Sequence, residues 1–321
     1  MCTAISFSGK DGHFFGRNLD LHHTYREQVT VTPRNFPFAF RCGSRLSSHY
    51  AMIGMANAEE DYPLYYEATN DQGLSMAGLN FPGNASYLPY CEGMENVSPF
   101  ELIPYLLGQC KTVPEARARL EKMNLWDEPF SPQFPLSPLH WIISDPNESL
   151  IAEPMEEGLR LYNAPLGLLT NNPPYPYHLY HLADYRNISN GPGEDRFSGG
   201  KLKAYSNGMG AMGLPGDFSS ASRFVKAAYL MENAAEKDSS ISQFFHILAS
   251  VAMPCGSVKM AGGEYEVTHY SCCCDTRRGI YYYTTYDNCR ITGVDMHKCD
   301  LGGNAVITFP PRKEPDIFME N

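Results

Sequence analysis

The residue with the clearest chemical potential in this sequence is the cysteine at position 2. If Met1 is removed, which the small side chain of cysteine permits, Cys2 carries a thiol and a free α-amine. Thiols titrate at about pH 8.5 and α-amines at about pH 8, so modest changes of environment bring both into the working range. The thiolate can attack an amide carbonyl while the amine carries the proton. A cysteine also occurs at this position by chance, so the position alone does not establish the role.

Two charged residues, Arg17 and Asp20, strengthen the catalytic interpretation. They lie in the segment Gly-Arg-Asn-Leu-Asp, on a predicted strand antiparallel to the one that begins at Cys2, so both are expected beside the sulfur. An arginine there favours the thiolate, and an aspartate there binds the ammonium. The alternative interpretation is an ordinary ion pair at the end of a strand.

The elements that must position these residues begin with strands. Residues 2–21 predict two strands around a turn at Lys10, Asp11 and Gly12. Further strands are predicted at residues 28–33, 51–55, 65–69, 74–80, 139–144, 150–154, 159–162, 265–272, 278–286 and 305–309.

Helices are predicted from their capping residues, which are Ser98, Thr112, Ser219 or Ser220, and Ser239 or Ser240. The first helix is expected to run towards residue 110, the second through residue 123 and the last through residue 251. Runs of strands interrupted by runs of helices favour an α+β fold of stacked antiparallel sheets with helical layers, not a doubly wound parallel sheet. The aromatic and proline-rich segment 126–138 has no period and is expected to be a long loop that lines a site.

Composition limits the classes of protein. The chain has 321 residues, 43% apolar and 19% charged, with no evident linker, and is expected to form a single domain over residues 1–321. The net charge of -11 argues against nucleic-acid binding, which depends on lysine and arginine. With no export signal and no long apolar run, we expect a cytoplasmic protein without membrane insertion. The ten scattered cysteines are expected to be reduced thiols.

Five sequence blocks together resemble the choloylglycine hydrolase family, which includes bile salt hydrolases and penicillin V acylases. They are Met-Cys-Thr at 1–3, Phe-Gly-Arg-Asn-Leu-Asp at 15–20, Gly-Leu-Asn-Phe-Pro-Gly at 78–83, Leu-Thr-Asn-Asn-Pro at 169–173, and Leu-Pro-Gly-Asp at 214–217 with Ser-Ala-Ser-Arg-Phe at 220–224. They occur in the order that the family has. Joint agreement of this kind is far more specific than any single motif.

The resemblance implies an N-terminal nucleophile hydrolase fold, with four αββα layers in which two antiparallel sheets lie between helices. It implies that Cys2 is nucleophile and, through its α-amine, base, and that Arg17 and Asp20 position it. Asn80 and Asn171 match the asparagines of the family's oxyanion region, and Arg223 matches its late active-site arginine. Neutral N–H donors suit an oxyanion, each contributing roughly 3 to 4 kcal/mol, without quenching a thiolate. No cofactor and no metal are expected.

Asn80 also bears on the substrate, because its block looks like the bile salt hydrolase version, whereas penicillin acylases often have tyrosine there. The expected substrate is therefore a small molecule, a conjugated bile salt. Loops at residues 21–25, 58–65 and 130–136 would supply apolar surface for a flat steroid. The expected contacts are Leu21, Tyr25, Tyr65, Phe130, Phe134 and Leu136. The resemblance places a loop that affects the preference for taurine or glycine conjugates at residues 205–208. The sequence of this loop predicts neither preference.

Two other functions stay open. One is an enzyme of the same fold acting on penicillin V or N-acyl homoserine lactones. The other is a non-catalytic binder of bile acids or lipids, against which the complete set of Cys2, Arg17, Asp20 and Asn171 argues. The resemblance also implies a homotetramer, with an assembly loop near residues 187–203.

Other motifs in the sequence are rejected. Residues 208–213, Gly-Met-Gly-Ala-Met-Gly, match a dinucleotide fingerprint, but Pro215 follows where a helix would have to continue. Residues 73–77 resemble a nucleophile elbow but lack its final glycine and lead into a strand. The cysteines at 272–274 lack zinc-site spacing, and neighbouring side chains of a strand point to opposite faces. His178 and His181 are expected to pack or to face solvent.

Overall fold

The computed structural model describes residues 1–9, 12–59, 62–197, 199–234 and 240–321. The strands are, in chain order, Cys2–Gly9 (β1), Gly12–Leu21 (β2), Gln28–Thr32 (β3), Phe38–Ala39 (β4), Arg45–Leu46 (β5), Met52–Glu59 (β6), Tyr62–Asn70 (β7), Ser75–Asn80 (β8), Glu95–Val97 (β9), Met123–Leu125 (β10), Leu139–Ser144 (β11), Ser149–Met155 (β12), Gly158–Asn163 (β13), Leu168–Leu169 (β14), Val258–Lys259 (β15), Tyr265–Asp275 (β16), Ile280–Thr285 (β17), Thr292–Asp295 (β18) and Ile307–Phe309 (β19). The α-helices are Leu102–Leu107 (α1), Val113–Leu120 (α2), Tyr175–Ala183 (α3), Ser220–Glu232 (α4) and Ile241–Ala249 (α5), with single 3-10 turns at Pro99–Glu101, Met209–Ala211 and Met296–Lys298.

Most strands belong to two large antiparallel sheets. The first has the order β14-β1-β2-β16-β17-β18, with β15 paired to β16, and the second has the order β13-β12-β11-β8-β7-β6-β3-β19. Two small pairs, β4 with β5 and β9 with β10, stand apart. Because all pairings within the large sheets are antiparallel, the predicted α+β class is confirmed.

The sheets lie between helical layers. One hydrophobic cluster joins both sheets to α4 and α5, and a second lies between the second sheet and α1 and α2. The layers therefore run α4 and α5, first sheet, second sheet, α1 and α2, as predicted. Since both faces of the first sheet are covered, Cys272, Cys273 and Cys274 are all buried on β16, although neighbouring side chains alternate faces.

Local capping explains where the helices begin, but three helices end earlier than predicted. Ser98 forms the predicted capping box, yet it opens a 3-10 turn followed by α1, which stops at Leu107. Thr112 accepts the N–H of Glu115 and caps α2, which ends at Leu120, not at residue 123, because the following residues pair as β10 with β9. The last predicted helix, α5, ends at Ala249, two residues before the predicted end.

Two serines begin the later helices. Ser219 accepts the N–H of Ser222, and Ser240 accepts the N–H of Gln243. These bonds satisfy amide groups that have no partner inside the helix.

The predicted turn at Lys10 and Asp11 lies outside the described residues.

The turn between β7 and β8 matches its sequence signal. The side-chain oxygen of Asn70 accepts the N–H groups of Gln72 and Leu74, and Gly73 takes a φ of +92° that favours glycine. Within the described ranges, no helix has the length and apolar character needed to cross a bilayer.

Candidate active site

Cys2 is the first residue of β1 and lies directly opposite Leu19 of β2. Opposed residues of antiparallel strands point to the same face, and side chains alternate along each strand. Cys2 therefore shares a face with Leu19 and Arg17, whereas Asp20 points to the other face. Arg17 and Asp20 were both expected beside the sulfur. Because side chains alternate along β2, the two point to opposite faces, and the register puts Arg17 on the side of the thiol.

The backbone nitrogen of Cys2 is held by Asn171 and, through it, by Arg223. Cys2 N donates to Asn171 Oδ1 at 2.6 Å, and Arg223 Nη2 donates to the same oxygen at 2.9 Å. Arg223 Nη1 donates to Cys2 O at 2.5 Å and to Thr3 Oγ1 at 2.6 Å. Burial lowers the pKa of Arg223, against the opposing attraction of Asp20 and Cys2.

Met1 occupies the space in front of that nitrogen. Its ammonium group donates to Asp20 O at 2.7 Å and forms an ion pair with Glu266. The N–H of Asp20 donates to Met1 O at 3.0 Å, so Met1 extends the pairing of β1 with β2. In this form the Cys2 nitrogen is an amide; removal of Met1 turns it into an amine in the same place.

Asp20 is buried on the far face of β2. Its Oδ1 accepts the hydroxyl of Thr268 at 2.6 Å, and its Oδ2 has no hydrogen-bond partner among the described residues. Burial raises the pKa of Asp20, opposed by the attraction of Arg223 and the N-terminal ammonium. The unpartnered oxygen leaves room for one more donor.

Arg17 links the two sheets. Its Nη1 donates to Gly78 O at 2.5 Å and to Tyr66 O at 3.3 Å, while its Nε lies 3.8 Å from Glu67 Oε2. Burial works against the charged guanidinium, but the attraction of Cys2, Tyr270 and Glu67 outweighs it and raises the pKa of Arg17. Arg17 therefore stays charged at the thiol.

The carboxylate behind Arg17 belongs to Glu67, which the sequence analysis missed. The hydroxyls of Tyr281 and Tyr270 donate to its two oxygens at 2.6 and 2.7 Å, and Met55 N donates at 3.3 Å. Burial raises the pKa of Glu67, opposed first by Arg17 and then by these donors. A lone acidic residue inside a predicted strand was the available signal, because a buried carboxylate requires a partner.

Asn171 is fixed through its backbone by two buried histidines. His178 Nε2 bonds Asn171 O at 2.9 Å, and His140 Nε2 bonds Thr170 O at 2.9 Å. A carbonyl only accepts, so both Nε2 atoms carry hydrogen. Asn171 N donates to Ser220 Oγ at 2.8 Å.

The two histidines have different surroundings. His140 Nδ1 lies 3.1 Å from Glu153 Oε1, whereas His178 Nδ1 has no partner within the described chain. Burial lowers the pKa of His178 to about 4, so its ring is neutral near neutral pH. His178 is fully buried, in keeping with the packing expected for it, but its contact with Asn171 was not foreseen.

The two predicted oxyanion asparagines differ in their side-chain contacts. Asn171 Nδ2 donates to the backbone oxygen of Asn80 at 2.8 Å, so one of its hydrogens is already engaged. The side chain of Asn80 forms no hydrogen bond within the described chain and lines the cavity in front of Cys2. Asn80 is therefore the freer donor to a bound molecule.

A cavity of about 320 Å³ opens in front of Cys2. It is lined by Cys2, Arg17 and Asn80 and by all six residues predicted to bind substrate, namely Leu21, Tyr25, Tyr65, Phe130, Phe134 and Leu136. Asp20, Asn171 and Arg223 lie outside the cavity wall. Asn171 bonds the nitrogen of Cys2 and Arg223 its carbonyl, whereas Asp20 bonds the backbone of Met1. The predicted loop 126–138 does form part of the wall, and so does Leu64 of the predicted segment 58–65, whereas Phe100 and Trp141 were not foreseen there.

The sequence matches the family model of linear amide C-N hydrolases, choloylglycine hydrolase family, over residues 2–309. The chain belongs to this family. It is 46% identical to the bile salt hydrolase/transferase of Lactiplantibacillus plantarum and 36% identical to that of Clostridium perfringens, with all of each chain covered in both comparisons. The resemblance seen in the sequence is thereby confirmed.

Solved structures agree with the family. A mutant of the conjugated bile acid hydrolase from Clostridium perfringens superposes with a TM-score of 0.95 at 34% identity, covering all of both chains. The penicillin V acylase from Agrobacterium tumefaciens superposes with a TM-score of 0.77 at 20% identity, over 96% of this chain and 91% of that one. The second likeness concerns the fold alone. This choloylglycine hydrolase family member thus has the predicted α+β architecture.

Proposed function

We propose that this member of the choloylglycine hydrolase family cleaves the amide C-N bond of glycine- or taurine-conjugated bile salts, with the processed Cys2 as nucleophile. One observation carries the proposal: a mainly apolar cavity ends at a cysteine, a buried arginine and a free asparagine amide. Both relatives described above carry the name bile salt hydrolase/transferase. An apolar cavity with few polar groups suits a flat steroid with one polar end.

The chemistry follows from the contacts of Cys2. The thiol transfers its proton to the α-amine, and the sulfur attacks the carbonyl carbon of the substrate. The negative oxygen that forms is stabilised by the Asn80 amide, and Arg17 favours the thiolate. The ammonium then gives its proton to the leaving nitrogen, the C-N bond breaks, and a thioester remains on Cys2. Water, deprotonated by the amine, then attacks the thioester carbonyl carbon; the C–S bond breaks, the bile acid is released, and the ammonium returns the proton to the sulfur.

Three buried residues position the amine in this scheme. Asn171 Oδ1 accepts its hydrogen, as it accepts the Cys2 amide hydrogen now, and Arg223 holds that oxygen in place. The unpartnered Oδ2 of Asp20 is available to the ammonium. The six apolar and aromatic residues named for the cavity would contact the steroid.

A second activity, acyl transfer, is suggested by the name that the 46% identical relative carries, hydrolase/transferase. A thioester on Cys2 reacts with an amine as well as with water, and the product is then a new amide. Incubation of a glycine conjugate with an excess of a different amino acid tests this activity. A new conjugate that requires Cys2 supports transfer, and free bile acid alone contradicts it.

We also propose that residues 1–321 act as one domain, that four copies assemble, and that the protein works in the cytoplasm. One core cluster contains side chains of both large sheets, which supports a single domain. Phe197 and Leu202, in the proposed assembly loop, are exposed apolar side chains. All ten cysteines lie in the described residues and are free, as in a reducing compartment. Light scattering on the wild type and on Phe197→Ser tests the assembly.

The test of the main proposal combines intact mass with the release of glycine or taurine from glycocholate and taurocholate. We expect release only from protein that has lost Met1, and rates on penicillin V and N-acyl homoserine lactones well below those on bile salts. Cys2→Ser and Cys2→Ala should be inactive, and Cys91→Ala, at an exposed cysteine, should be fully active. Full activity in Cys2→Ala, or with Met1 retained, would overturn the mechanism.

A further inference from the structure

Asn57, on β6, is a polar side chain in the wall of the mainly apolar cavity. It is only 8% exposed, and its amide forms no hydrogen bond within the described chain. Leu64 lies directly opposite it on β7. Because Asn57 lines the cavity, a molecule that fills it and displaces water must either bond this amide or leave it unpaired, which is costly.

The register of the second sheet places Asn57 relative to the reacting end of the cavity. Glu67 of β7 pairs with Ala77 of β8, so extending this register by three residues brings Leu64 level with Asn80. Asn57 and Asn80 therefore lie in one row, two strands apart. Strands are spaced by about 4.8 Å, which separates the two residues by at least about 10 Å.

The separation is a lower limit because β7 and β8 move apart at this end. Their last paired residues are Glu67 and Ala77, and beyond them the guanidinium of Arg17 bonds both Tyr66 O and Gly78 O. A substrate whose carbonyl lies at Asn80 would therefore present its ring system, not its conjugated end, to Asn57.

We propose that Asn57 forms a hydrogen bond with a ring hydroxyl of the bile salt and thereby selects among bile salts by their hydroxylation. This inference rests on the proposed function. The ring system of a bile salt is apolar except for its hydroxyls, and a hydroxyl can both donate to an amide oxygen and accept from an amide N–H. A substrate that lacks the matching hydroxyl leaves Asn57 buried and unpaired, and is therefore disfavoured.

Other polar groups of the cavity are less suited to this role. Trp141 Nε1 is also buried without a partner in the described chain, but Trp141 pairs with β8 two residues before Asn80, near the reacting end. Gln133 is exposed, so water already satisfies its amide whether or not a ligand is bound. Asn80 lies at the reacting end, beside Cys2. Tyr66 is only partly buried, so it is less enclosed than Asn57. Asn57 combines burial, lack of a partner and distance from the reacting carbon.

The experiment compares kcat/KM for glycocholate, which has three ring hydroxyls, with glycodeoxycholate and glycochenodeoxycholate, which each lack a different one. We expect the wild type to prefer glycocholate over one of the two by about tenfold, the discrimination of one satisfied hydrogen bond. Asn57→Leu, which removes the amide at similar size, should bring that ratio close to one. Gln133→Leu, at the exposed amide of the same cavity, should leave the ratio unchanged.

The outcomes separate this inference from the proposed function. If no conjugate is hydrolysed by processed protein, the proposed function fails. If hydrolysis depends on Cys2 but the wild type shows no preference, or folded Asn57→Leu keeps the wild-type ratio, the assignment of Asn57 is wrong while the function stands. Circular dichroism checks that the variant folds; if Asn57→Leu does not fold, the smaller Asn57→Ser replaces it with the same expected loss of preference.

Discussion

The guanidinium of Arg17, on the first sheet, donates to the carbonyl oxygen of Gly78, on the second, at 2.5 Å. The same nitrogen also bonds Tyr66 O, and the two carbonyls lie where the pairing of β7 with β8 has just ended. Arg17 thus supplies hydrogen bonds that the sheet no longer makes. One charged side chain bonds the carbonyl groups at the end of the strand pairing, holds the two sheets together and faces the thiol of Cys2.

Glu67 is expected to be the carboxylate that balances Arg17. Glu67→Gln should lower the free energy of unfolding by about 3 to 5 kcal/mol, because the arginine is then buried without its countercharge. Urea unfolding at neutral pH measures the loss. Asp316→Asn, which removes an exposed ion pair with Arg290, is the matched control and should cost less than about 1 kcal/mol. A similarly small loss for Glu67→Gln would show that Glu67 is neutral when folded.

Asn171 is expected to act on turnover and not on substrate binding, because it touches Cys2 N but does not line the cavity. Asn171→Leu should lower kcat by about a hundredfold, the effect of a misplaced reacting group, with KM little changed. Asn171→Asp keeps an acceptor for Cys2 and Arg223 and should lose less. Steady-state release of glycine measures both. Asn163→Asp, at an exposed asparagine, is the control; a rise in KM without a fall in kcat for Asn171→Leu contradicts the assignment.

The stability contributed by His178 should depend on pH. Burial lowers its folded pKa to about 4 from the usual 6.5, so between these values the unfolded chain binds more protons. The contribution of the neutral ring is complete above about pH 6.5 and is lost as the pH falls towards 4. His178→Gln has no such titration, so its deficit relative to wild type should shrink by about 2 kcal/mol between about pH 7.5 and about pH 5. Urea unfolding at both values tests this; a constant deficit contradicts it.

Asp20 is expected to stabilise the ammonium form of the processed Cys2. Asp20→Asn removes an anion that favours the ammonium and disfavours the thiolate, so both ionisations should occur at lower pH. The profile of kcat/KM against pH should move to lower pH by about half a unit to one unit. Thr268→Val removes only the hydroxyl that Asp20 Oδ1 accepts and should move the profile less. A profile that moves to higher pH in Asp20→Asn would refute this role.

The hairpin of the site was accessible from the sequence because its pairing is local. Cys2 and Arg17 lie on consecutive strands, so alternation and one turn bring them together. Asn80, Asn171 and Arg223 lie far apart in the chain, and only the resemblance to a family connected them. Alternation along β2 already sends Arg17 and Asp20 to opposite faces, but which of the two shares the face of Cys2 requires knowing the pairing residue by residue.

Contacts between layers could not be read from the sequence. Glu67 reaches Arg17 across two stacked sheets, and His140 reaches Thr170 from another strand. Nothing in a strand pattern specifies which side chains meet when sheets pack. The predicted second helix overran as far as Met123, the first residue of β10, because a short apolar segment fits either period, and its pairing with β9 decides only in the folded chain. The helix α3 was missed, although Pro174 and Pro176 mark its start.

The cavity draws its reactive groups and part of its wall from different parts of the chain. Cys2 and Arg17 are strand residues of the first sheet, whereas Phe130, Phe134 and Leu136 come from one loop. Loops tolerate substitution and changes of length far better than paired strands do. Substitutions in this loop can therefore alter part of the substrate-binding surface while the paired strands that carry Cys2 and Arg17 stay as they are. In this architecture, substitutions can change which substrate is bound without changing which bond is broken.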